Sequence, residues 1–98
     1  MILIKTYKQG EDILLSACDE DLIGKKFEEG KFYLDVSEKF YKGQKIKINE
    51  LIKHLKNATI ANLVGSETIK FAIKHGFVDP DCVLKVQGIP HAQVVTMI

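Results

Sequence analysis

Six lysines fall between positions 39 and 56 (Lys39, Lys42, Lys45, Lys47, Lys53 and Lys56) against the single acid Glu50, a local net charge of +5. Four rings border or enter this stretch: Phe32, Tyr33, Phe40 and Tyr41. Cations interleaved with aromatics suit single-stranded nucleic acid, because ammonium groups track phosphates while rings stack on bases. The residues that would make such contact are Lys39, Tyr41, Lys42, Lys45 and Lys47. The plainer reading is a solvated lysine face with its rings turned inward, and the overall net charge of only +1 favours it. Every one of the 14 cations is lysine. Without arginine the chain lacks the planar fork that grips guanine or phosphate through two parallel hydrogen bonds, so attraction survives without fork-like specificity.

A second candidate is the segment Gly88-Ile89-Pro90-His91-Ala92-Gln93. Glycine and proline suit a tight connection between strands, and a rigid base would aim His91 and Gln93 outward. Gly88, Pro90, His91 and Gln93 are therefore read as a binding loop. A catalytic histidine needs an orienting acid or a nucleophile beside it, and none adjoins His91 in sequence. Asn62 interrupts the apolar run Ile60–Val64, where a buried amide must be satisfied, so it is read as a structural brace. Gly65-Ser66-Glu67 at a helix start offers free N–H groups to an anion, but it has no P-loop frame.

Metal and redox chemistry find little support. His54, His75 and His91 lie on three separate segments without ligand spacing, and Cys18 and Cys82 form no C-x-x-C pair. No metal and no cofactor are expected, and the two thiols are read as free and buried. Asp19-Glu20-Asp21 lacks calcium-loop spacing and reads as a solvated acidic turn. No nucleophile–base–acid arrangement emerges from residue order, so the reading leans away from an enzyme.

These groups need a scaffold, and hydrophobic periodicity outlines one. Ile2–Tyr7 alternates, Gln9–Asp12 supplies a turn, and Ile13–Cys18 resumes an apolar run: an N-terminal hairpin. Lys31–Val36 alternates clearly, and Phe40-Tyr41 and Ile46–Ile48 read as further strand pieces. Asn49 is placed as the N-cap of a helix burying Leu51, Ile52, Leu55 and Ala58. Residues 59–64 suit either a helix or a short strand, with β-branched residues tilting toward strand. Ser66 is read as the cap of a second helix facing inward through Ile69, Ala72 and Ile73, ended by Gly76. Val83–Val86 and Ala92–Ile98 read as two final strands, with Gln87–His91 as the loop between them.

Ninety-eight residues with 46% hydrophobic and 28% charged content fit one soluble domain, residues 1–98. Strands, then helices, then strands favour an α+β fold, a mostly antiparallel sheet with two helices packed on one face. The core candidates are Leu3, Leu14, Val36, Leu51, Leu55, Leu63, Ile69, Ile73, Val83, Val86 and Val94. No apolar run approaches the ~18 residues of a membrane span. Met1-Ile2-Leu3-Ile4 meets Lys5 at once, so a secretory signal is not expected and the cytoplasm is.

Four blocks in order carry a family likeness: Leu22–Lys25; Val36-Ser37-Glu38 leading to Phe40-Tyr41 and Gly43; Ala58–Gly65; and Gly88–Gln93. Together they resemble the small archaeal proteins known as domain of unknown function 424, over nearly the whole chain. The resemblance implies a cytoplasmic, stand-alone archaeal domain with no assigned reaction, cofactor or catalytic residue. It also implies a setting among translation genes, so RNA or ribosome-associated proteins are the expected partners and no membrane is. The leading expectation is a non-enzymatic RNA- or translation-associated binding module. One alternative is a ligand binder or small enzyme with a cleft at the Gly88–Gln93 loop, joining His91 to Asn62 with Cys18 as a further candidate. The other is a protein adaptor with an exposed apolar patch. Oligomeric state is not legible in the chain.

Overall fold

β1 (Ile2–Gln9) and β2 (Asp12–Asp19) form the expected hairpin, paired antiparallel from Ile2 opposite Asp19 to Gln9 opposite Asp12. Gly10 and Glu11 close it, and Gly10 at φ +62° supplies the left-handed first position of a tight hairpin turn. The structure is a computed structural model that describes residues 1–95. A 3₁₀ turn at Glu20–Leu22 leads into a separate small hairpin, β3 (Lys26–Glu29) with β4 (Phe32–Asp35). There follow α1 (Glu38–Tyr41), β5 (Gln44–Ile46), and a 3₁₀ turn at Ile48–Glu50 that runs into α2 (Leu51–Asn57). β6 (Ile60–Val64), α3 (Ser66–Lys74), a 3₁₀ turn at Pro80–Cys82, β7 (Leu84–Val86) and β8 (Ile89–Val95) complete the chain.

The main sheet has the strand order β5-β1-β2-β6-β8-β7, antiparallel throughout except for the parallel β2–β6 pair. The fold is α+β as the pattern predicts. On one face, α2 and α3 cover Ile2, Ile4, Leu15, Ala17, Ala61, Leu63 and Ala92 with Leu51, Leu55, Ile69 and Ala72. Leu51 and Leu55 sit one turn apart on α2 and are both buried, so Leu55→Ala should cost about 2–5 kcal/mol. On the opposite face a smaller core joins Leu3, Cys18, Val64 and Val86 to Leu22, Leu34, Val36 and Tyr41. The small hairpin and α1 supply most of that cover. Of the predicted core, Leu14, Ile73, Val83 and Val94 are only half-buried.

Several local expectations are corrected. Phe40-Tyr41 is helical, because the Ser37 hydroxyl accepts from Phe40 N (3.2 Å) and so caps a short turn. Asn49 is not the cap of α2: the chain already turns at Ile48, and the Glu50 carboxylate accepts from Lys47 N (2.9 Å). Residues 60–64 are a strand. The Gln87–His91 loop shrinks to Gln87-Gly88, both at positive φ (+52° and +78°), a type I′ turn. Pro90 and His91 belong to β8.

Pro90 fits within that strand for a specific reason. Its carbonyl accepts from Gly65 N (2.9 Å), while the Gly65 carbonyl is turned into α3 and accepts from Ile69 N (2.9 Å). A donor at Pro90 would have no acceptor to meet there, so its absence costs nothing. The strand expected over 92–98 is seen to Val95, and residues 96–98 lie outside the described residues.

Candidate nucleic-acid interface

Alternation divides the residues of the sheet between its two faces. Ile4, Leu15, Ala61, Leu63 and Ala92 point beneath the helices, so Lys5, Ser16, Asn62 and Gln93 point to the opposite face. Strand register places these four side by side: Lys5 opposite Ser16, Ser16 beside Asn62, and Asn62 opposite Gln93. Three strand spacings make this polar row about 14 Å long. The next row, by the same registers, is Tyr7, Leu14, Ile60 and Val95. Val95 is 63% exposed, and Tyr7, Leu14 and Ile60 are half-buried. The row on the other side, Leu3, Cys18 and Val64, lies under the smaller core, with His91 opposite Val64. Half of this face is therefore covered; on the other half α1 buries Ser16 completely, and Asn62 and Gln93 with the row Tyr7, Leu14, Ile60 and Val95 stay half-exposed or exposed among the described residues.

α1 walls one end of the open half. Within this four-residue helix the Glu38 carbonyl accepts from Lys42 N, and three side chains from the sheet satisfy the carbonyls of Lys39 and Phe40. Tyr7 Oη and Ser16 Oγ each donate to the Phe40 carbonyl at 2.8 Å, and Lys5 Nζ donates to the Lys39 carbonyl at 2.8 Å. A cation at that helix end also suits the dipole. Tyr7 and Phe40 stack with ring centres 5.4 Å apart and planes inclined by 16°. Beside them lies a groove of about 280 Å³ lined by Lys5, Tyr7, Ser37, Lys39 and Phe40.

The residues singled out in the sequence are only partly brought together. Lys39 lines the groove and Lys42 is exposed at the end of α1. Lys45 is held by Glu20 (2.6 Å), an ion pair that neutralises it and keeps the Glu20 carboxyl below the usual range. Lys47 follows β5, where the chain leaves the edge strand for α2, and Lys53 and Lys56 ride on α2 over the helical face. The basic segment thus wraps the sheet edge and does not form one patch. Tyr41 is no stacking platform: it is 6% exposed in the smaller core, and burial pushes its hydroxyl up to about 12.

Only Gly88 of the expected binding loop lies in a turn; Pro90, His91 and Gln93 are strand residues because the I′ turn closes the hairpin earlier. Gln93 joins the open row, whereas His91 is half-buried and burial holds its imidazole below the usual value. Asn62 is half-exposed and finds no hydrogen-bond partner among the described residues; neighbouring Ser16 turns to the Lys5 and Phe40 carbonyls instead. It is a surface amide and not a brace.

The expected anion site at Gly65-Ser66-Glu67 is filled from within. Asp19 accepts from Glu67 N (3.1 Å), Thr68 N (2.9 Å) and Thr68 Oγ1 (2.7 Å), so it, and not Ser66, caps α3. Cys18 shares the face of Asn62 and His91 but is fully buried, and desolvation raises its thiol to about 12, removing it as a nucleophile. Cys82 is exposed, contrary to expectation, on the 3₁₀ turn before β7. Sequence reasoning missed Lys5, Tyr7 and Ser16. Their signal was present: Ser16, like Asn62, interrupts an apolar strand on the side that alternation turns away from the helices.

A family model covers residues 7–97 and bears the description "Protein of unknown function (DUF424)". The chain belongs to this family. Among solved structures, the fold of this DUF424 member is similar to an uncharacterized conserved protein from Methanopyrus kandleri, with TM-score 0.82 at 23% identity. The match covers 99% of this chain and 94% of that one, and at that identity it bears on the fold alone. No curated protein matches the chain. Among the described residues, no helix is long and apolar enough to cross a membrane, and no group of three or more histidine, cysteine or carboxylate side chains could hold a metal ion.

Proposed function

We propose that this DUF424 protein is a non-enzymatic binding module of the cytoplasm that takes single-stranded RNA on the open half of its sheet, near the translation machinery. The observation that carries this reading is the accessible amide pair Asn62–Gln93 lying in register beside the row Tyr7–Leu14–Ile60–Val95. Apolar and aromatic surface accepts the faces of unstacked bases, and each good base contact contributes about 1–3 kcal/mol. The amides of Asn62 and Gln93 each carry donors and acceptors suited to base edges. Lys39 and Lys42 at the α1 end supply phosphate attraction. The row Tyr7–Leu14–Ile60–Val95 also spans three strand spacings of ~4.8 Å, about 14 Å, and accommodates two or three nucleotides. The translation setting rests on the family likeness.

The experiment is fluorescence anisotropy with a labelled single-stranded RNA at about 50 mM salt, repeated as salt rises. Binding should weaken with a log–log slope near −0.7 per neutralised phosphate, hence roughly −1 to −2 for two lysines. Lys39→Glu in α1 at the end of the open half and Asn62→Asp on the sheet should each weaken it. Absence of binding at low salt would retire the proposal.

A further inference from the structure

Resting on the RNA-binding role proposed above, we infer that the groove between β1 and α1 seats the phosphorylated end of a single-stranded RNA, a terminal phosphate monoester with its sugar. The groove, of about 280 Å³, is lined by Lys5 and Tyr7 of β1 and by Ser37, Lys39 and Phe40 of α1 and its cap. It lies where the row Tyr7–Leu14–Ile60–Val95 runs out. β1 is the last strand at Tyr7, because β5 pairs with it only over Ile2–Ile4. α1 stands across that end, held by the bond from Tyr7 Oη to the Phe40 carbonyl (2.8 Å) and by the stacked rings. A strand laid along the row therefore meets a wall at Tyr7, and Tyr7 belongs to both the row and the groove.

The polar groups left free in the groove are chiefly donors. Lys5 is half-buried, and its Nζ spends one proton on the Lys39 carbonyl (2.8 Å) and lies 5.5 Å from the centre of the Tyr7 ring. A carbonyl fixes that ammonium without neutralising it. Among the described residues neither Lys5 nor Lys39 has a carboxylate within ion-pairing distance, whereas Lys45 is paired with Glu20. Glu38, the one acid of α1, has its carboxylate beside Gly24, 4.0 Å from where a Cβ would stand there, and it does not line the groove. The Ser37 hydroxyl accepts from Phe40 N (3.2 Å), which leaves its own proton to donate.

The occupant follows from charge and size. Two unneutralised ammonium groups and a hydroxyl, set among ring and methylene surface, match a multiply charged anion on an apolar body. A terminal phosphate monoester carries about −1.5 to −2 at neutral pH, whereas a phosphodiester within a chain carries a single charge. Lysine binds phosphate as a point charge, so it favours the monoester even without the arginine fork. The volume falls at the lower end of small-molecule sites, which begin near ~300 Å³, so the groove takes the sugar and phosphate of one nucleotide and not a longer stretch.

The test is fluorescence anisotropy at about 50 mM salt with one short, internally labelled single-stranded RNA in three forms. One has hydroxyls at both ends, one a 5′ phosphate and one a 3′ phosphate. At least one phosphorylated form should bind about fivefold more tightly than the hydroxyl form, the size of one further ion pair. Lys5→Gln and Lys39→Gln should each erase that preference. Lys39 is exposed and its ammonium makes no bond among the described residues, so its replacement removes charge without loosening α1. Asn62→Asp should weaken all three forms and keep their ratio. Equal affinity for the three forms, or a preference that survives Lys39→Gln, would overturn this inference and leave the binding proposal standing. Binding of none of the three would overturn the binding proposal and this inference with it.

Discussion

Asp19 Oδ1 accepts from both the amide nitrogen (2.9 Å) and the hydroxyl (2.7 Å) of Thr68, tying the end of β2 to the first turn of α3. Both residues are buried, and the remaining oxygen accepts from Glu67 N. A charged acceptor at a helix N-terminus satisfies orphan donors and complements the dipole. The cap comes from a strand 49 positions away, so it fixes α3 against the sheet as well as starting it. Gly65 is the complement of this contact. It sits at φ +109°, and a Cβ there would come within 2.6 Å of both Asp19 oxygens.

Removing the cap should be costly. Asp19→Ala leaves the Thr68 hydroxyl and two amides without their acceptor in a buried site, for a loss of about 2–3 kcal/mol in urea unfolding. Gly65→Ala should cost at least about 1–3 kcal/mol through backbone conformation and steric overlap together. Because the overlap is with Asp19 itself, the double variant should be less destabilised than the two losses added. Strict additivity would show that the contact does not operate as described.

The two thiols should differ sharply toward an alkylating reagent. Cys82 is exposed and should react in the native protein, whereas Cys18 is fully buried with its thiol raised to about 12. Mass spectrometry should find one adduct per native chain and two after denaturation. Native labelling of Cys18 at the rate of Cys82 would contradict the packing of the smaller core.

Acid should weaken the fold through histidine. Desolvation holds both His54 and His91 below the usual imidazole value of 6.5, and His54 Nε2 is buried without a hydrogen-bond partner among the described residues. Below 6.5 the unfolded chain binds protons that the folded chain refuses, so stability is full above that value and falls as pH drops toward the folded values. Urea midpoints should decline between about pH 7.5 and 5.5, and His54→Gln with His91→Gln should flatten that decline. An unchanged slope in the double variant would assign the pH dependence elsewhere.

Strong periodicity made the hairpin Ile2–Cys18, the strand at Lys31–Val36, α2, α3 and the α+β class legible. Long-range contacts decided what was not. Phe40-Tyr41 looks like a strand fragment, yet Ser37 caps a turn whose carbonyls are met by Lys5, Tyr7 and Ser16 from strands over twenty residues earlier. No local pattern announces that. Proline and glycine near position 90 suggest a loop, but the ladder tolerates Pro90 only because Gly65 leaves the sheet beside it. The candidate site suffered the same way. Charge runs along a sequence ignore that β5 is an edge, so the lysines part company around it, while Asn62 and Gln93, thirty-one positions apart, become neighbours through register.

The most direct measurement is an NMR titration of the ¹⁵N-labelled protein with a short single-stranded RNA at low salt. The shifts expected are at Lys5, Tyr7, Leu14, Ile60, Asn62 and Gln93 and in α1, with α2 and α3 silent, and Asn62→Asp should weaken the response about tenfold, or 1.4 kcal/mol. Shifts centred on Lys53 and Lys56 of α2, or none at all, would contradict the account.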